Sequence, residues 1–361
     1  MHNSILLTAL VAGIATAAPA TTATGSCTFT DAATAIKNKG SCTSITLAGI
    51  AVPAGTTLDM TNLKQGTTVT FTGTTTFGYK EWPGPLISVS GTDITVTGDS
   101  SHMIDFGGEQ YWDGKGSNGG KTKPKAFFAH SLTDSTISDL NVKNTPVQFM
   151  SINGANQLYI KNVNFDNSAG ASLGHNTDAF DVGSSTGVYI SGASVHNQDD
   201  CLAINSGVDV AFVGGSCTGG HGLSIGSVGG RSDNHVQNVV IADNTISNSA
   251  NGVRIKTVSG ATGSIANVVY TNIKLSGITT YGVVIEQDYE NGGPTGKPTN
   301  GVPITNLNLS GIMGSVASDA TNVHILCGSG SCSNWKWNSV DVSGGKKSSN
   351  CLNVPNGATC T

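Results

Sequence analysis

Charged residues are scarce in this chain. Its 361 residues include 18 Lys and Arg and 23 Asp and Glu, together 11%, whereas roughly 25% is usual for a soluble domain. Glutamate occurs only at Glu81, Glu109, Glu286 and Glu290. Because helix surfaces favour Glu and Lys while Asp, Asn, Gly and Thr favour turns and strands, this composition excludes a helical bundle. With 37% hydrophobic residues and a net charge of −5, it also argues against disorder.

The sequence has no basic tail and no cluster of Lys and Arg. This argues against a nucleic-acid partner. Its one long apolar run, residues 5–18, is too short to span a bilayer, so we expect no membrane partner either. The run ends in small residues of the A-x-A type, which predicts a signal peptide over residues 1–20 with cleavage near Ala17 to Ala20, and a secreted protein. We expect the secreted chain to be a monomer.

Eight cysteines are present, and none forms a C-x-x-C pair of the kind found in zinc or redox sites. An even number in a secreted chain indicates disulfides. The cysteines fall into four local couples, which favours pairing in sequence order, although spacing does not fix the connectivity. Asn308, in Asn308-Leu-Ser310, is a possible glycosylation site.

A pattern of alternating apolar residues followed by Asn or Gly recurs along the chain. Its copies align on a column of large side chains: Ile137, Ile160, Ile190, Phe212, Ile241 and Tyr270. The column recurs with a period of roughly 20 to 30 positions, and repeats of this length, too short to fold alone, are typical of a solenoid. A sandwich or barrel would show hairpin turns at shorter spacing. We therefore predict an all-β parallel β-helix, with a short N-terminal helix over residues 31–37, N-capped by Asp31, covering its first coil.

One glycine motif carries little functional information. Gly114, Gly116 and Gly119 match G-x-G-x-x-G, but neither a long apolar helix nor a βαβ unit accompanies them. We interpret the segment as a Gly- and Asn-rich loop.

The candidate catalytic residues lie in the central part of the chain. Asp178, Asp199 and His221 follow one another at nearly equal intervals, so coils of about that length would bring them to one face. Asp200 adjoins Asp199, and neighbours on a regular strand point to opposite faces, so both reach one site only where the chain bends. Three carboxylates on neighbouring coils repel one another, which a purely structural role explains poorly.

Two cations follow the acid cluster. Arg254 and Lys256 are separated by a single residue, so on a strand they share a face, and the interval from His221 to Arg254 fits one or two further coils. Paired carboxylates suit glycoside hydrolysis, in which one is protonated to release the leaving oxygen and another is ionised. Flanking Arg and Lys suit a substrate that itself carries carboxylates. The residues thus predict a secreted hydrolase of an acidic polysaccharide.

Four motifs in order carry a family resemblance: Asn176-Thr-Asp178, Gln198-Asp-Asp200, Gly220-His-Gly222 and Arg254-Ile-Lys256. They resemble the fungal endopolygalacturonases of glycoside hydrolase family 28, as do the Tyr111–Gly114 stretch and the cysteine spacing. The resemblance covers essentially the whole mature chain. It implies a right-handed parallel β-helix forming one catalytic domain over residues 21–361, without a cofactor or metal. It also implies hydrolysis of α-1,4 bonds in polygalacturonate, the pectin backbone, with inversion.

The resemblance also implies roles for individual residues. Asp199 would be the general acid, Asp178 and Asp200 would activate water, and His221 would support the acid. The substrate-binding residues would be Arg254, Lys256, Tyr289 and Asn176. The disulfides would be Cys27–Cys42, Cys201–Cys217, Cys327–Cys332 and Cys351–Cys360. Many relatives have a propeptide ending in a basic pair, and none occurs here between the signal and Lys37.

Three alternatives stay open from the sequence. An exo-acting polygalacturonase differs only in loops that block one end of the cleft. A pectate or pectin lyase shares the β-helix and needs a basic residue to take a proton, which Arg254 or Lys256 could imitate. A wall-binding solenoid would use the acid cluster to bind calcium, which suits hard oxygen ligands, although His221 and the two cations do not suit such a site.

Overall fold

A computed structural model of the protein describes residues 25–291 and 293–361. The predicted signal peptide, residues 1–20, lies outside these residues. Among the described residues, no helix is both long and apolar enough to cross a membrane.

Almost all regular structure is β. The described residues contain one α-helix, α1 (Ala32–Asn38), and short 3-10 helices at Lys39–Ser41, Gly108–Gln110 and Ser168–Gly170. The strands are β1 (Ser26–Phe29), β2 (Ser44–Ala48), β3 (Ala51–Val52), β4 (Leu58–Met60), β5 (Thr68–Thr72), β6 (Thr74–Phe77), β7 (Ile87–Thr92), β8 (Thr95–Gly98), β9 (Met103–Asp105), β10 (Phe127–Ser138), β11 (Asn141–Lys143), β12 (Met150–Asn153), β13 (Asn156–Lys161), β14 (Asn164–Asp166), β15 (Phe180–Gly183), β16 (Thr186–Ser191), β17 (Ser194–Asn197), β18 (Leu202–Ile204), β19 (Gly207–Val213), β20 (Ser216–Gly219), β21 (Leu223–Val228), β22 (His235–Ser247), β23 (Asn251–Val258), β24 (Ser264–Ile278), β25 (Tyr281–Glu290), β26 (Gly293–Pro294), β27 (Ile304–Val316), β28 (Thr321–Leu326), β29 (Cys332–Ser333) and β30 (Lys336–Ser343).

The strands stack in parallel from coil to coil, which confirms the predicted right-handed parallel β-helix. Every member of the predicted column pairs with the next: Ile137 with Ile160, Ile160 with Ile190, Ile190 with Phe212, Phe212 with Ile241 and Ile241 with Tyr270. All six side chains are buried. Each buried large apolar side chain contributes about 1.5–3 kcal/mol, so such columns make up the core that holds the coils together.

The predicted N-terminal helix is present. Helix α1 begins after Asp31, whose carboxylate accepts a hydrogen bond from the backbone N–H of Thr34 at 2.8 Å. Ala32 and Ala35 are buried and pack the helix onto the first coil.

Four disulfides are formed, and each joins cysteines that are close in the sequence. They are Cys27–Cys42, Cys201–Cys217, Cys327–Cys332 and Cys351–Cys360. This is the pairing in sequence order that the four local couples favour.

Asn308, the possible glycosylation site, lies in β27, where it pairs with Val269 on one side and Lys336 on the other. It is half-buried on its strand. Its glycosylation stays a prediction.

One sheet of the solenoid positions the site. It is built by β12, β15, β18, β21, β23 and β25, each paired in parallel with the next. In this sheet Asp181, Ala203, Ser224 and Arg254 occupy one column along the axis. Asp181, Ala203 and Arg254 of that column line a cleft.

Candidate active site

A cleft of about 780 Å³ runs along this sheet. All eight residues predicted as catalytic or substrate-binding line it: Asn176, Asp178, Asp199, Asp200, His221, Arg254, Lys256 and Tyr289. The sequence intervals therefore bring together side chains from several successive coils.

A bend allows Asp199 and Asp200 to enter the same cleft. The chain leaves β17 at Asn197 and joins β18 at Leu202, and the residues between them are not part of a strand. The Asn197 amide holds this bend, because it donates to the backbone oxygens of Thr177 at 2.8 Å and of Asp200 at 3.1 Å. Strict alternation of side chains does not apply there, so both carboxylates face the cleft.

Asp199 and His221 form a close pair on neighbouring coils. The Nδ1 atom of His221 lies 2.8 Å from Oδ1 of Asp199, and the backbone N–H of Asp200 donates to the same oxygen at 2.8 Å. Burial opposes ionisation of Asp199, but the hydrogen bond and charge of His221, with the charge of Lys256, lower the pKa of Asp199 to about 2. Burial likewise opposes protonation of His221, but Asp199 raises its pKa above 6.5. The pair can therefore hold one proton at neutral pH.

Asp200 is held by groups on both of its oxygens. Lys256 Nζ donates to Oδ2 at 2.9 Å and the Ser224 hydroxyl donates to Oδ1 at 2.6 Å. The ion pair is almost inaccessible, since the side chains of Lys256 and Asp200 are 9% and 2% exposed. Burial disfavours the Lys256 ammonium, but the charge of Asp200 prevails and raises the Lys256 pKa.

The pKa values of Asp178 and Asp181 are shifted in the direction opposite to that of Asp199. Burial, and then the charges of Asp199, Asp181 and Asp200, raise the pKa of Asp178 well above 3.8. Burial raises the pKa of Asp181 to about 7, although Lys125 opposes the shift. The cleft thus contains carboxylates whose pKa values are displaced in opposite directions, those of Asp178 and Asp181 upward and that of Asp199 downward.

Arg254, Glu286 and Tyr289 form the cationic end of the site. Arg254 Nη2 donates to Glu286 Oε1 at 3.1 Å, and the Arg254 guanidinium lies 5.8 Å from the centre of the Tyr289 ring. The Lys256 ammonium lies 5.3 Å from the same ring. The two cations and the aromatic ring together form a surface that can bind a carboxylate-bearing sugar.

Sequence reasoning missed Asp181, Ser224 and Glu286. In the sequence, Asp181 resembles the many aspartates found in turns. Its neighbour in the column, Ala203, lies one coil further along the chain, so no adjacent residue links Asp181 to the cleft. The column continues through Ala203 and Ser224 to Arg254, so coil intervals counted back from Arg254 lead to Asp181. Ser224 lies in the same column as Asp181, and Glu286 is in register with Lys256 on the next coil, but only the structure shows their hydrogen bonds to Asp200 and Arg254.

A metal ion has little room among these side chains. One ligand atom from each of Asp199, Asp200 and His221 lies within 4.8 Å of the others. However, Lys256 already donates to Asp200 and His221 to Asp199. A divalent cation would have to replace these contacts and approach Lys256 and Arg254, so the donor set does not favour it.

Known proteins resemble this chain over nearly its whole length. A polygalacturonase from Cochliobolus carbonum is 65% identical over 335 residues, 92% of either chain. Endopolygalacturonase 1 from Colletotrichum lindemuthianum is 65% identical over 346 residues, 96% of this chain and 95% of that one. The solved structure of endopolygalacturonase I from Stereum purpureum, in complex with two galacturonates, superposes with a TM-score of 0.79 at 37% identity, over 91% of this chain and 99% of that one. The model of the glycosyl hydrolases family 28 matches residues 42–360, and the chain belongs to that family.

Proposed function

We propose that this chain is a secreted, monomeric endopolygalacturonase whose single catalytic domain, residues 21–361, hydrolyses the α-1,4-galacturonosidic bonds of polygalacturonate with inversion. The observation that carries the proposal is the cleft in which Asp178, Asp199 and Asp200 meet Arg254 and Lys256. The signal peptide predicted over residues 1–20 and the four disulfides support secretion.

Asp199 is assigned the role of general acid. In this assignment a proton on His221 Nδ1 passes across the 2.8 Å contact to Oδ1 of Asp199, and the transfer leaves the net charge of the pair unchanged. Asp199 gives this proton to the glycosidic oxygen as the bond from that oxygen to the anomeric carbon breaks. His221 then keeps a proton available to Asp199 at pH values above the usual pKa of a carboxyl group.

Asp178 and Asp200 are assigned the activation of water. Water attacks the anomeric carbon from the face opposite the leaving oxygen, which inverts the configuration at that carbon. The water gives a proton to a carboxylate as it attacks. The ligand oxygens of Asp199 and Asp200 lie within 4.8 Å, less than the roughly 6.5–9.5 Å typical of inverting pairs. We therefore give Asp178 the larger part in accepting the proton, while Lys256 and Ser224 hold Asp200 in a fixed orientation.

Arg254, Lys256 and Tyr289 are assigned to substrate binding, together with Asn176. An Arg fork and a Lys point charge suit galacturonate carboxylates. The cleft extends over coils from Gln148 to Tyr289, and at about 4.8 Å between strands this length exceeds a single sugar ring. A long cleft supports endo action over exo action.

The same contacts argue against elimination. A lyase needs a neutral base, whereas the pKa of Lys256 is raised by Asp200 and that of Arg254 by Asp200 and Glu286 against the effect of burial. Both stay cationic at neutral pH. The calcium-binding solenoid is disfavoured because these cations face the carboxylates it would need.

The product lengths from polygalacturonate, with a chelator present, test the proposal. Endo hydrolysis yields saturated oligomers of mixed length from the earliest time points. Release of monomer or dimer alone would require exo action instead, unsaturated products would require a lyase, and unchanged polymer would reject the activity.

A further inference from the structure

An exposed loop lies beside the acid pair. In the segment 114–122, hereafter the 114–122 loop, every residue is exposed except Gly116. Asp113 closes the loop at its base, since its carboxylate accepts from the backbone N–H groups of Lys115 at 3.0 Å and Lys121 at 2.9 Å. Lys123 pairs with the same carboxylate at 2.8 Å. Asp113 therefore holds the two ends of the loop together, and Gly116 is the one buried residue of the loop.

Gly116 faces Asn176. A Cβ atom at Gly116 would collide with Asn176 Oδ1 and lie 2.6 Å from the backbone oxygen of His175. The next two loop residues donate to the same Oδ1 atom, Ser117 from its backbone N–H at 3.0 Å and Asn118 from its amide at 3.3 Å. Only a residue without a side chain allows the loop to approach Asn176 this closely.

These contacts fix the direction of the Asn176 amide. Because two donors from the loop require its oxygen, its NH₂ group must point the other way. That group donates to Oδ2 of Asp199 at 3.1 Å, while Oδ1 of Asp199 is engaged by His221. The seating of the loop thus decides whether Asp199 Oδ2 has a hydrogen-bond donor.

We propose that Asn176 is a positioning residue that couples the seating of the 114–122 loop to the orientation of the Asp199 carboxyl. This inference deepens the proposed function and rests on the assignment of Asp199 as the acid. Asn118 lines the cleft, so a bound polymer touches the loop whose seating sets the acid. Glycoside cleavage and loop position are then linked through a single amide.

Two glycines of the loop provide a matched test. Gly116→Ala forces the loop away from Asn176. Gly114→Ala places the same methyl group at φ +75°, comparable to φ +53° at Gly116, yet it meets no atom within 4 Å. Both variants carry the strain of a left-handed backbone, and only Gly116→Ala disturbs the amide. We expect Gly116→Ala to lower kcat on polygalacturonate by about ten- to a hundred-fold, and Gly114→Ala to leave it within about two-fold.

Asn176→Gly supplies the second arm, since Asn176 has φ +53° and glycine accepts that backbone without strain. The loss in kcat should match that of Gly116→Ala, and the double variant should lose no more than either single one. Additive losses, equal effects of the two glycine variants, or a change confined to KM would overturn the proposal.

A histidine titration by NMR tests the coupling without any substrate. Removal of the Asn176 donor makes Asp199 a stronger acceptor, so the His221 midpoint should rise by roughly half a pH unit in Gly116→Ala and Asn176→Gly. It should not move in Gly114→Ala. The charged groups facing this pair, Lys256, Asp200, Asp178 and Arg254, are the same in all three. An unmoved midpoint overturns the coupling. If the midpoint moves but the protein does not cleave polygalacturonate, the proposed function is rejected while the coupling stands.

Discussion

Nδ1 of His221 lies 2.8 Å from Oδ1 of Asp199 across two neighbouring coils of the β-helix. The contact lowers the pKa of the carboxyl and raises that of the imidazole against the effect of burial on each. It joins two residues that are one coil of the solenoid apart along the chain. The repeat length of the fold thus determines which side chain lies beside the proposed acid.

Replacement of the proposed acid tests its role. Asp199→Asn keeps the size of the side chain but cannot release a proton, so we expect turnover on polygalacturonate to fall by roughly 10²–10⁴-fold. The circular dichroism spectrum should not change. Asp319→Asn, at an exposed position outside the cleft, is the matched control and should keep full turnover. Near-normal turnover in Asp199→Asn would remove this residue from the acid role.

The pH profile of kcat/KM should be bell-shaped, with both limbs displaced to higher pH than the ordinary pKa values of the two groups would give. Asp178 must be ionised to accept a proton, and its pKa is raised well above 3.8, so activity is lost as the pH falls through that raised value. Asp199 and His221 must retain a proton, and the His221 pKa is raised above 6.5, so activity is lost as the pH rises through it. A rate that increases steadily into the alkaline range would contradict both assignments.

His221→Gln should shift the alkaline limb to lower pH. Without the imidazole, Asp199 must hold its proton alone, beside the Lys256 charge that favours its ionised form. The acid limb, which reports Asp178, should stay in place. His235→Gln, which alters an exposed histidine outside the cleft, controls for the loss of an imidazole. An unmoved alkaline limb would show that His221 does not supply the proton of the acid.

The Lys256–Asp200 ion pair should be important for stability as well as activity. Lys256→Met leaves a buried carboxylate without its partner, and removal of one member of a buried pair destabilises a protein by about 3–5 kcal/mol. The more exposed pair of Lys143 and Asp105, 3.2 Å apart, is the control, and Lys143→Met should change the free energy of unfolding by less than about 1 kcal/mol. Denaturant unfolding of both variants measures the difference, and equal losses would contradict the burial argument.

Two adjacent residues of β22 test the stacked core. Ile241 is 0% exposed in the column between Phe212 and Tyr270, whereas its neighbour Val240 is 42% exposed. Ile241→Ala should lower the free energy of unfolding by about 2–5 kcal/mol, and Val240→Ala by about 0.5 kcal/mol or less. Similar losses in the two variants would contradict the assignment of Ile241 to the core and of Val240 to the surface.

The sequence predicts the fold to the level of individual strand pairs, because each coil repeats one apolar position. Ile160 and Ile190 are further apart along the chain than Ile137 and Ile160, yet both couples pair in the structure, because the longer coil has its extra residues between β14 and β15, in a segment that contains the 3-10 helix Ser168–Gly170. The placement of Asp178, Asp199 and His221 in one cleft is predictable for the same reason, since about one coil length separates each of them from the next.

Contacts outside the repeat are not predictable in this way. Ser117 and Asn176 are 59 residues apart, and no periodic position relates a surface loop to a turn. The bend that brings Asp200 beside Asp199 depends on the Asn197 amide, whose two acceptors are backbone atoms that a sequence does not identify.

A proton NMR time course on polygalacturonate, in the presence of a chelator, tests the central claim most directly. We expect the β-anomer of the new reducing end to appear first and the α-anomer only later, by mutarotation, because water attacks opposite the leaving oxygen. Initial formation of the α-anomer would contradict the assignment of Asp199 as acid with Asp178 and Asp200 activating water.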